Sequence, residues 1–287
     1  MKLAEIKAVL GRPAYEDEQI LLYQGDALQL MDKLSDSIFD QVVTSPPYNI
    51  GKSYEQRLHI NDYLEWTAKW IEKVYRLTKP NGSFWLNVGY TQLEGRAKAI
   101  PIPYLIWERV PFYLIQEIVW NYGAGVAARK SFSPRNEKIL WYVKNKHSYT
   151  FNLDDVRDPD VKYPNQKKNG KLRCNTIGKN PSDVWQIAKV TSGTNRASAE
   201  RTAHPAQFPL DLVTRIIKAG SNPGELLLEP FAGSGSLLEA AAMTGRRAVG
   251  FEIRPDYVEI AVGRLRNFRL AQQRAARQPE LFPVAAE

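Results

Sequence analysis

The stretch from Glu225 to Glu252, ELLLEPFAGSGSLLEAAAMTGRRAVGFE, constrains the fold more than any other part of the chain. A short apolar run ends in a glycine turn, a leucine- and alanine-rich helical segment follows, and a second apolar run, RAVGFE, closes the unit. Strand, turn, helix and strand in that order make one repeat of an open α/β sheet. The same alternation fills the first half of the chain. Apolar runs at 19–26, 37–44, 83–89, 112–120 and 137–143 read as strands. Helical spacing marks 27–34, 61–77 and a segment entered through proline near 101–110. In the helix at 61–77 the apolar members are Leu64, Trp66, Ala68, Ile71, Val74, Tyr75 and Leu77; Asn61 or Asp62 is its N-cap, and Lys79-Pro80-Asn81-Gly82 ends it. Further helices are expected at 208–219, 235–244 and 255–268. The fold class that follows is α/β, a doubly wound and mostly parallel sheet.

One segment breaks the rhythm. Residues 144–203 are rich in Lys, Asn, Pro, Ser and Thr with scattered aromatics (Tyr149, Phe151, Tyr163, Trp185), which marks an inserted, loop-rich region. The expected layout is one domain in two halves, 1–143 and 204–270, around an insertion at 144–203, with a flexible tail at 271–287 that frays after Pro279. A length of 287 residues, 44% of them hydrophobic, suffices for such a domain. The formal charge of +8 is localised: Arg129 to Arg201 carries 16 Lys/Arg against 7 Asp/Glu, a balance of +9, which leaves −1 for the rest. Such an excess suits a polyanionic partner, or else is a solvated basic face. No run approaches the roughly 20 apolar residues of a membrane span. The N-terminus lacks the pattern of a signal peptide. The single Cys174 excludes an internal disulfide and a multi-cysteine zinc site. A cytoplasmic protein with no membrane partner and no metal is expected.

The glycine turn suggests a ligand. Gly233 and Gly235 let the backbone approach one closely, and the helix behind them offers unpaired N–H groups. The dinucleotide pattern G-x-G-x-x-G fails because Leu238 occupies its third glycine, and the P-loop pattern is absent, so a pyrophosphate is not what is held. Glu252, at the end of the next strand, is placed to accept hydrogen bonds from a ribose diol. The plainer alternative is a tight turn, with Glu252 capping the helix that starts at Pro255.

The strand at 37–44 leaves through Ser45-Pro46-Pro47-Tyr48. Two prolines fix φ, remove two donors and push each preceding residue to extended backbone, giving a rigid exit. A hydroxyl, carbonyls outside any helix and a flat aromatic face suit a planar substrate bearing an amine. An inert Pro-Pro turn beside a packed tyrosine is the alternative.

TSPPY at 44–48 together with EPFAGSG at 229–235 resembles the amino-group, S-adenosylmethionine-dependent DNA methyltransferases, which methylate an exocyclic nitrogen of cytosine or adenine. HPAQFP at 204–209 is similar to the family's His-Pro-x-x-x-Pro segment, and GFEIRPDYVEIA, NEKILWYVK and YQGDALQLM to further segments of it. Catalytic motif, variable region, then cofactor motif is the order of the permuted beta group, which accounts for the late glycine turn. The resemblance covers nearly all but 144–203, where the family carries its target-recognition region. Two departures stand out: Glu229 replaces the family's usual Asp, and Phe208 a common Lys.

The resemblance implies a methyltransferase fold of Rossmann-like type, S-adenosylmethionine as cofactor, and double-stranded DNA as partner. A cognate restriction endonuclease and a homodimer are further family partners. The implied catalytic residues are Ser45, Pro46, Pro47 and Tyr48. The implied cofactor residues are Asp26, Thr44, His204, Pro205, Glu229, Pro230, Phe231, Ala232, Gly233, Ser234, Gly235 and Glu252. Asp26 would lie near the cofactor's adenine, Glu252 at its ribose, and His204 and Pro205 beside its methionine moiety, although His204 also suits a helix cap. Ser45 and the Pro46 carbonyl would accept from the amine, and Tyr48 would stack on a flipped base. Carbon-5 methylation of cytosine needs a thiolate, and Cys174 has no Pro-Cys context, so that route is rejected. In this family serine at the first catalytic position accompanies cytosine-N4, while Asp or Asn accompanies adenine-N6. Cytosine-N4 is therefore the expected target and adenine-N6 the alternative. A DNA-binding module without catalysis is the alternative from another class. The loop at 51–59 is a candidate lid or DNA contact.

Overall fold

The computed structural model describes residues 3–52, 55–125, 127–190 and 198–277. In chain order the elements are α1 (Leu3–Leu10), β1 (Tyr15–Glu16), β2 (Ile20–Gln24), α2 (Ala27–Asp32), β3 (Phe39–Thr44), α3 (Ile60–Leu77), β4 (Thr78–Val88), β5 (Tyr90–Leu93), β6 (Ala97–Pro101), α4 (Pro103–Ile106), β7 (Tyr113–Asn121) and β8 (Asn136–Val143). They continue with β9 (Lys167–Lys168), β10 (Lys171–Leu172), β11 (Val184–Gln186), α5 (Leu210–Gly220), β12 (Leu226–Glu229), α6 (Ser236–Met243), β13 (Arg247–Glu252) and α7 (Pro255–Arg277).

Nine strands form one sheet in the order β1-β2-β13-β12-β3-β4-β8-β7-β11. From β2 to β4 every pairing is parallel; only β1 and β8 run against their neighbours. Because the strands are buried on both faces, their residues alternate between two cores. Leu21, Tyr23, Phe84, Leu86, Leu226 and Leu228 face α1, α2 and α3. Ile20, Leu22, Trp85 and Leu227 face α5, α6 and α7. The expected doubly wound architecture is what is observed.

The decisive contact is β12 beside β3, with Leu227 opposite Gln41 and Leu228 opposite Val42. From β3 the chain crosses through α3 to β4 on one side; from β12 it crosses through α6 to β13 on the other. The connections diverge there, which opens a crevice at the carboxyl ends of the two strands. That juxtaposition brings residues 44–48 and 229–235 together across nearly two hundred residues of sequence.

Several expectations need correction. His59, not Asn61 or Asp62, caps α3, its Nδ1 accepting from the Asn61 N–H at 3.4 Å. The helix expected near 101–110 is one turn, Pro103–Ile106, continued as a 3₁₀ turn over Trp107–Arg109. The β5–β6 hairpin before it has no counterpart in the sequence reading. α7 runs to Arg277, so residues 271–277 are helix rather than tail. The expected fraying after Pro279 lies outside the described residues.

Residues 144–203 are mostly loop, yet they complete the sheet. β11 pairs in parallel with β7, Trp185 opposite Trp120, and Trp185 is buried beneath the Arg215 guanidinium. Three residues behind a proline are too short a run to read as a strand. β9 and β10 form a small hairpin whose turn residues Asn169 and Gly170 both have positive φ (52° and 78°), as a tight Asn-Gly turn requires. Lys167, Lys168 and Lys171 stand exposed on it.

Candidate active site

A cavity of about 450 Å³ lies at the crevice. Ser45, Pro46, Pro47 and Tyr48 line one side; Glu229, Pro230, Phe231, Ala232, Gly233 and Ser234 line the other; Asp26, His204, Pro205 and Glu252 complete the wall. Two expected residues are not in the wall. Thr44 is fully buried in β3, and Gly235 packs α6 against α7, where a Cβ would meet that of Ala261 at 3.0 Å.

On the glycine side the backbone turns tightly. Gly233 has φ +51°, and a Cβ there would sit 2.9 Å from His204 Nε2. Glu252 holds the turn from above, Oε2 accepting from the Gly233 N–H at 2.8 Å and Oε1 from the Arg254 N–H at 2.9 Å. Phe231 is wedged against α3, its ring 5.4 Å from Trp70 and 5.6 Å from Trp66. Asp26 caps α2 by accepting from the Gln29 N–H at 3.1 Å. His204 is not a helix cap. Its Nδ1 accepts from the Ala206 N–H at 3.2 Å, its ring packs edge-on to Tyr257, and burial pulls its pKa down to about 4. With Nδ1 accepting, the neutral ring carries its proton on Nε2, the nitrogen beside Gly233. Phe208, which stands where the family commonly has Lys, packs edge-on against Trp120.

The two carboxylates are electrostatically unusual. Burial pushes Glu252 above the ordinary carboxylate range and Glu229 well above it, the neighbouring Glu252 charge adding to the second shift. Glu229 Oε2 is buried with no hydrogen-bond partner among the described residues. Burial alone favours the neutral acids, and a cation beside them would favour the ionised forms instead. Because the folded state raises its pKa, Glu229 contributes stability that is full below the ordinary value of 4.5 and lost as pH rises through the raised one. Glu229→Gln, neutral throughout, is expected to gain stability relative to the wild type over the range from the ordinary value of 4.5 up towards the raised one. Calorimetric melting across that range checks this, and a gap between the two proteins that does not change with pH would contradict it.

On the proline side the exit from β3 is pinned. The Tyr63 hydroxyl of α3 donates to the Pro47 carbonyl at 2.9 Å, whereas the Pro46 carbonyl has no donor among the described residues. The Tyr48 ring lies over Gly89, where a Cβ would come within 3.0 Å of it. Its hydroxyl is 2.8 Å from Ser45 Oγ and 2.9 Å from Glu137 Oε2. Asn87 Nδ2 donates to the Tyr48 hydroxyl and to Glu137 Oε2, each at 2.7 Å. Lys189 Nζ pairs with Glu137 Oε1 at 2.7 Å and stands 3.7 Å from the centre of the Tyr122 ring. No motif in the sequence marks Asn87, Glu137 or Lys189 as part of the site. Asn87 ends β4, and Glu137 starts β8; because β8 is antiparallel, its first residues reach the same edge of the sheet as the other strands' last ones.

The loop after Tyr48 is clamped at its base. Asn49, at φ +60°, exchanges two hydrogen bonds with the backbone of Leu58 at 3.0 and 2.6 Å. Ser53 and Tyr54, part of the candidate lid, lie outside the described residues. No helix among the described residues is long and apolar enough to cross a membrane.

Comparison with known proteins agrees with this geometry. Residues 39–263 match the DNA methylase family of N6- and N4-methyltransferases. The type II methyltransferase M.ScaI of Streptomyces caespitosus is 60% identical over 264 residues, covering 92% of this chain and 87% of its own length. The DNA adenine methyltransferase YhdJ of Escherichia coli (strain K12) is 30% identical over 88% of this chain and 84% of its own. Among solved structures, the cytosine-N4-specific PvuII DNA methyltransferase shares the fold, with a TM-score of 0.71 over 94% of this chain and 97% of that one at 21% identity. A putative DNA modification methylase of Thermus thermophilus, TTHA0409, solved in complex with S-adenosyl-L-methionine, aligns with a TM-score of 0.62 over 86% of this chain and 93% of that one, at 25% identity. Matched along most of its length and built around the family's two turns, the chain belongs to the N6/N4 amino-methyltransferases of DNA.

Proposed function

We propose that this DNA methyltransferase transfers a methyl group from S-adenosylmethionine to the exocyclic N4 of a cytosine flipped out of duplex DNA. The observation that carries the choice of base is the identity of the first catalytic residue, Ser45, a neutral hydroxyl beside a Pro46 carbonyl that has no donor among the described residues. Relatives and neighbours bear both specificities in their names, so serine at this position is the support for cytosine.

The residues present fit the cofactor. Gly233 leaves the space that a Cβ would fill, Glu229 and Glu252 suit a cationic ligand, and the Nε2–H of neutral His204 is a donor for a carboxylate. When bound, S-adenosylmethionine supplies the methyl group as an electrophile on sulfonium. Ser45 Oγ and the Pro46 carbonyl accept from the amine hydrogens, which favours a more tetrahedral nitrogen and matches the positive charge growing on it. Such acceptors stabilise the transition state more than the ground state. Tyr48 stacks on the flipped base, worth about 1–3 kcal/mol. The basic insertion, with its exposed Lys167, Lys168 and Lys171, serves the DNA phosphates. The relatives' names support a role in a type II restriction-modification pair with a cognate endonuclease.

Nucleosides from DNA treated with the enzyme, identified by mass spectrometry, test the choice. N4-methylcytosine is expected; N6-methyladenine as the sole product would assign the site to adenine.

A further inference from the structure

We propose that Glu137 is the terminal acceptor of the proton that the substrate amine sheds, reached from Ser45 through Tyr48. The inference rests on the reading of Ser45 as the amine's acceptor and asks where the proton goes next.

The direction of the hydrogen bonds follows from chemistry. An ionised carboxylate only accepts, so the Tyr48 hydroxyl, 2.9 Å from Glu137 Oε2, donates to it. With its one proton committed, Tyr48 accepts at its oxygen. The Ser45–Tyr48 bond at 2.8 Å must then have Ser45 as donor. Asn87 Nδ2 enforces the same order, because it donates both to the Tyr48 oxygen and to Glu137 Oε2, at 2.7 Å each. The hydroxyl protons therefore run from Ser45 towards Glu137, itself in the cavity wall; with Asn87 Nδ2 3.4 Å from Ser45 Oγ, the serine oxygen keeps a lone pair for the amine.

Asn87 cannot itself take a proton, and Glu137 is the carboxylate in contact with this hydroxyl chain. Lys189 stabilises its charge at rest, and the side chains of Glu137 and Lys189 are 14% and 24% exposed, so a proton arriving there has a route to solvent.

The step balances. The amine lone pair forms the N–C bond as the C–S bond breaks and its electron pair stays on sulfur. While that bond forms, an N–H proton passes to Ser45 Oγ, the Ser45 proton to the Tyr48 oxygen, and the Tyr48 proton to Glu137 Oε2. Sulfonium and carboxylate charges vanish together, and the methylated base leaves neutral.

The test is single-turnover methyl transfer from labelled S-adenosylmethionine to duplex DNA, comparing wild type, Glu137→Gln, Glu137→Asp and Ser45→Ala. Glutamine can still accept from Tyr48 but takes no proton. We expect Glu137→Gln to slow the transfer step on the order of 10²-fold. Its dissociation constants for cofactor and DNA, and the 2-aminopurine fluorescence that reports base flipping, should stay within about two-fold of wild type. Glu137→Asp should recover at least about ten-fold over Gln. A relay also predicts that heavy water slows the wild-type step about two-fold or more, which needs no variant to fold. The proposal fails if Glu137→Gln is within about three-fold of wild type, if Asp is no better than Gln, if flipping or cofactor binding collapses with the rate, or if heavy water has no effect. A slow Ser45→Ala beside a fast Glu137→Gln would sink the relay alone. A fast Ser45→Ala would sink the reading of Ser45 and the relay with it.

Discussion

Gly233→Val is expected to fold yet to lose affinity for S-adenosylmethionine by about 100-fold or more. Two effects act at that position. An L-residue at φ +51° carries the strain of the left-handed region, about 1–2 kcal/mol. The side chain also meets His204, with even a Cβ placed 2.9 Å from Nε2 and 3.1 Å from Cε1. The imidazole cannot retreat, because Tyr257 packs against it with ring centres 4.3 Å apart. Gly245 separates strain from obstruction. It has φ +74°, but a Cβ there would meet only Pro223, at 3.8 Å, so Gly245→Ala should be strained without losing cofactor. Isothermal titration of both variants reads the difference, and wild-type affinity in Gly233→Val would show that the turn is not the cofactor's seat.

The second large effect is at Ser45. Ser45→Ala removes the hydroxyl proposed to accept from the amine and leaves the Tyr48 hydroxyl with Asn87 and Glu137 as its close partners. A loss of roughly 10²-fold in the transfer step is expected, the scale of removing one preorganised polar group from a transition state. Cofactor affinity should hardly change, since the serine stands on the opposite wall from the glycine turn. A parallel loss of cofactor binding would mean that Ser45 shapes the cavity rather than the chemistry.

Much of this is legible in the residues. β13 can be read to the residue, because RAVGFE is a buried parallel strand with no polar interruption before its acid. The two turns can be paired before the sheet order is known because each contains backbone that only one kind of local structure accommodates: fixed φ at Pro46 and Pro47, positive φ at Gly233 and Gly235. What stays hidden depends on strand direction and tertiary contact. Nothing local to NEKILWYV says that β8 runs antiparallel, and that direction alone carries Glu137 to Tyr48. Lys189 comes from the far end of the insertion and finds its partner 52 positions away in the chain. The short β11 exists because Trp185 has a core to enter, a fact of packing rather than propensity. The Asn-Gly turn of the basic hairpin, by contrast, is a signal that the residues themselves carry.

The crevice between β3 and β12 is the proposed site of methyl transfer to DNA. Incubation of the protein with radiolabelled S-adenosylmethionine and mixed-sequence duplex DNA tests it most directly. The wild type should label the DNA and Ser45→Ala should label it about 10²-fold more slowly. DNA that binds the wild-type protein but acquires no label would contradict the account and leave a binding module in place of an enzyme.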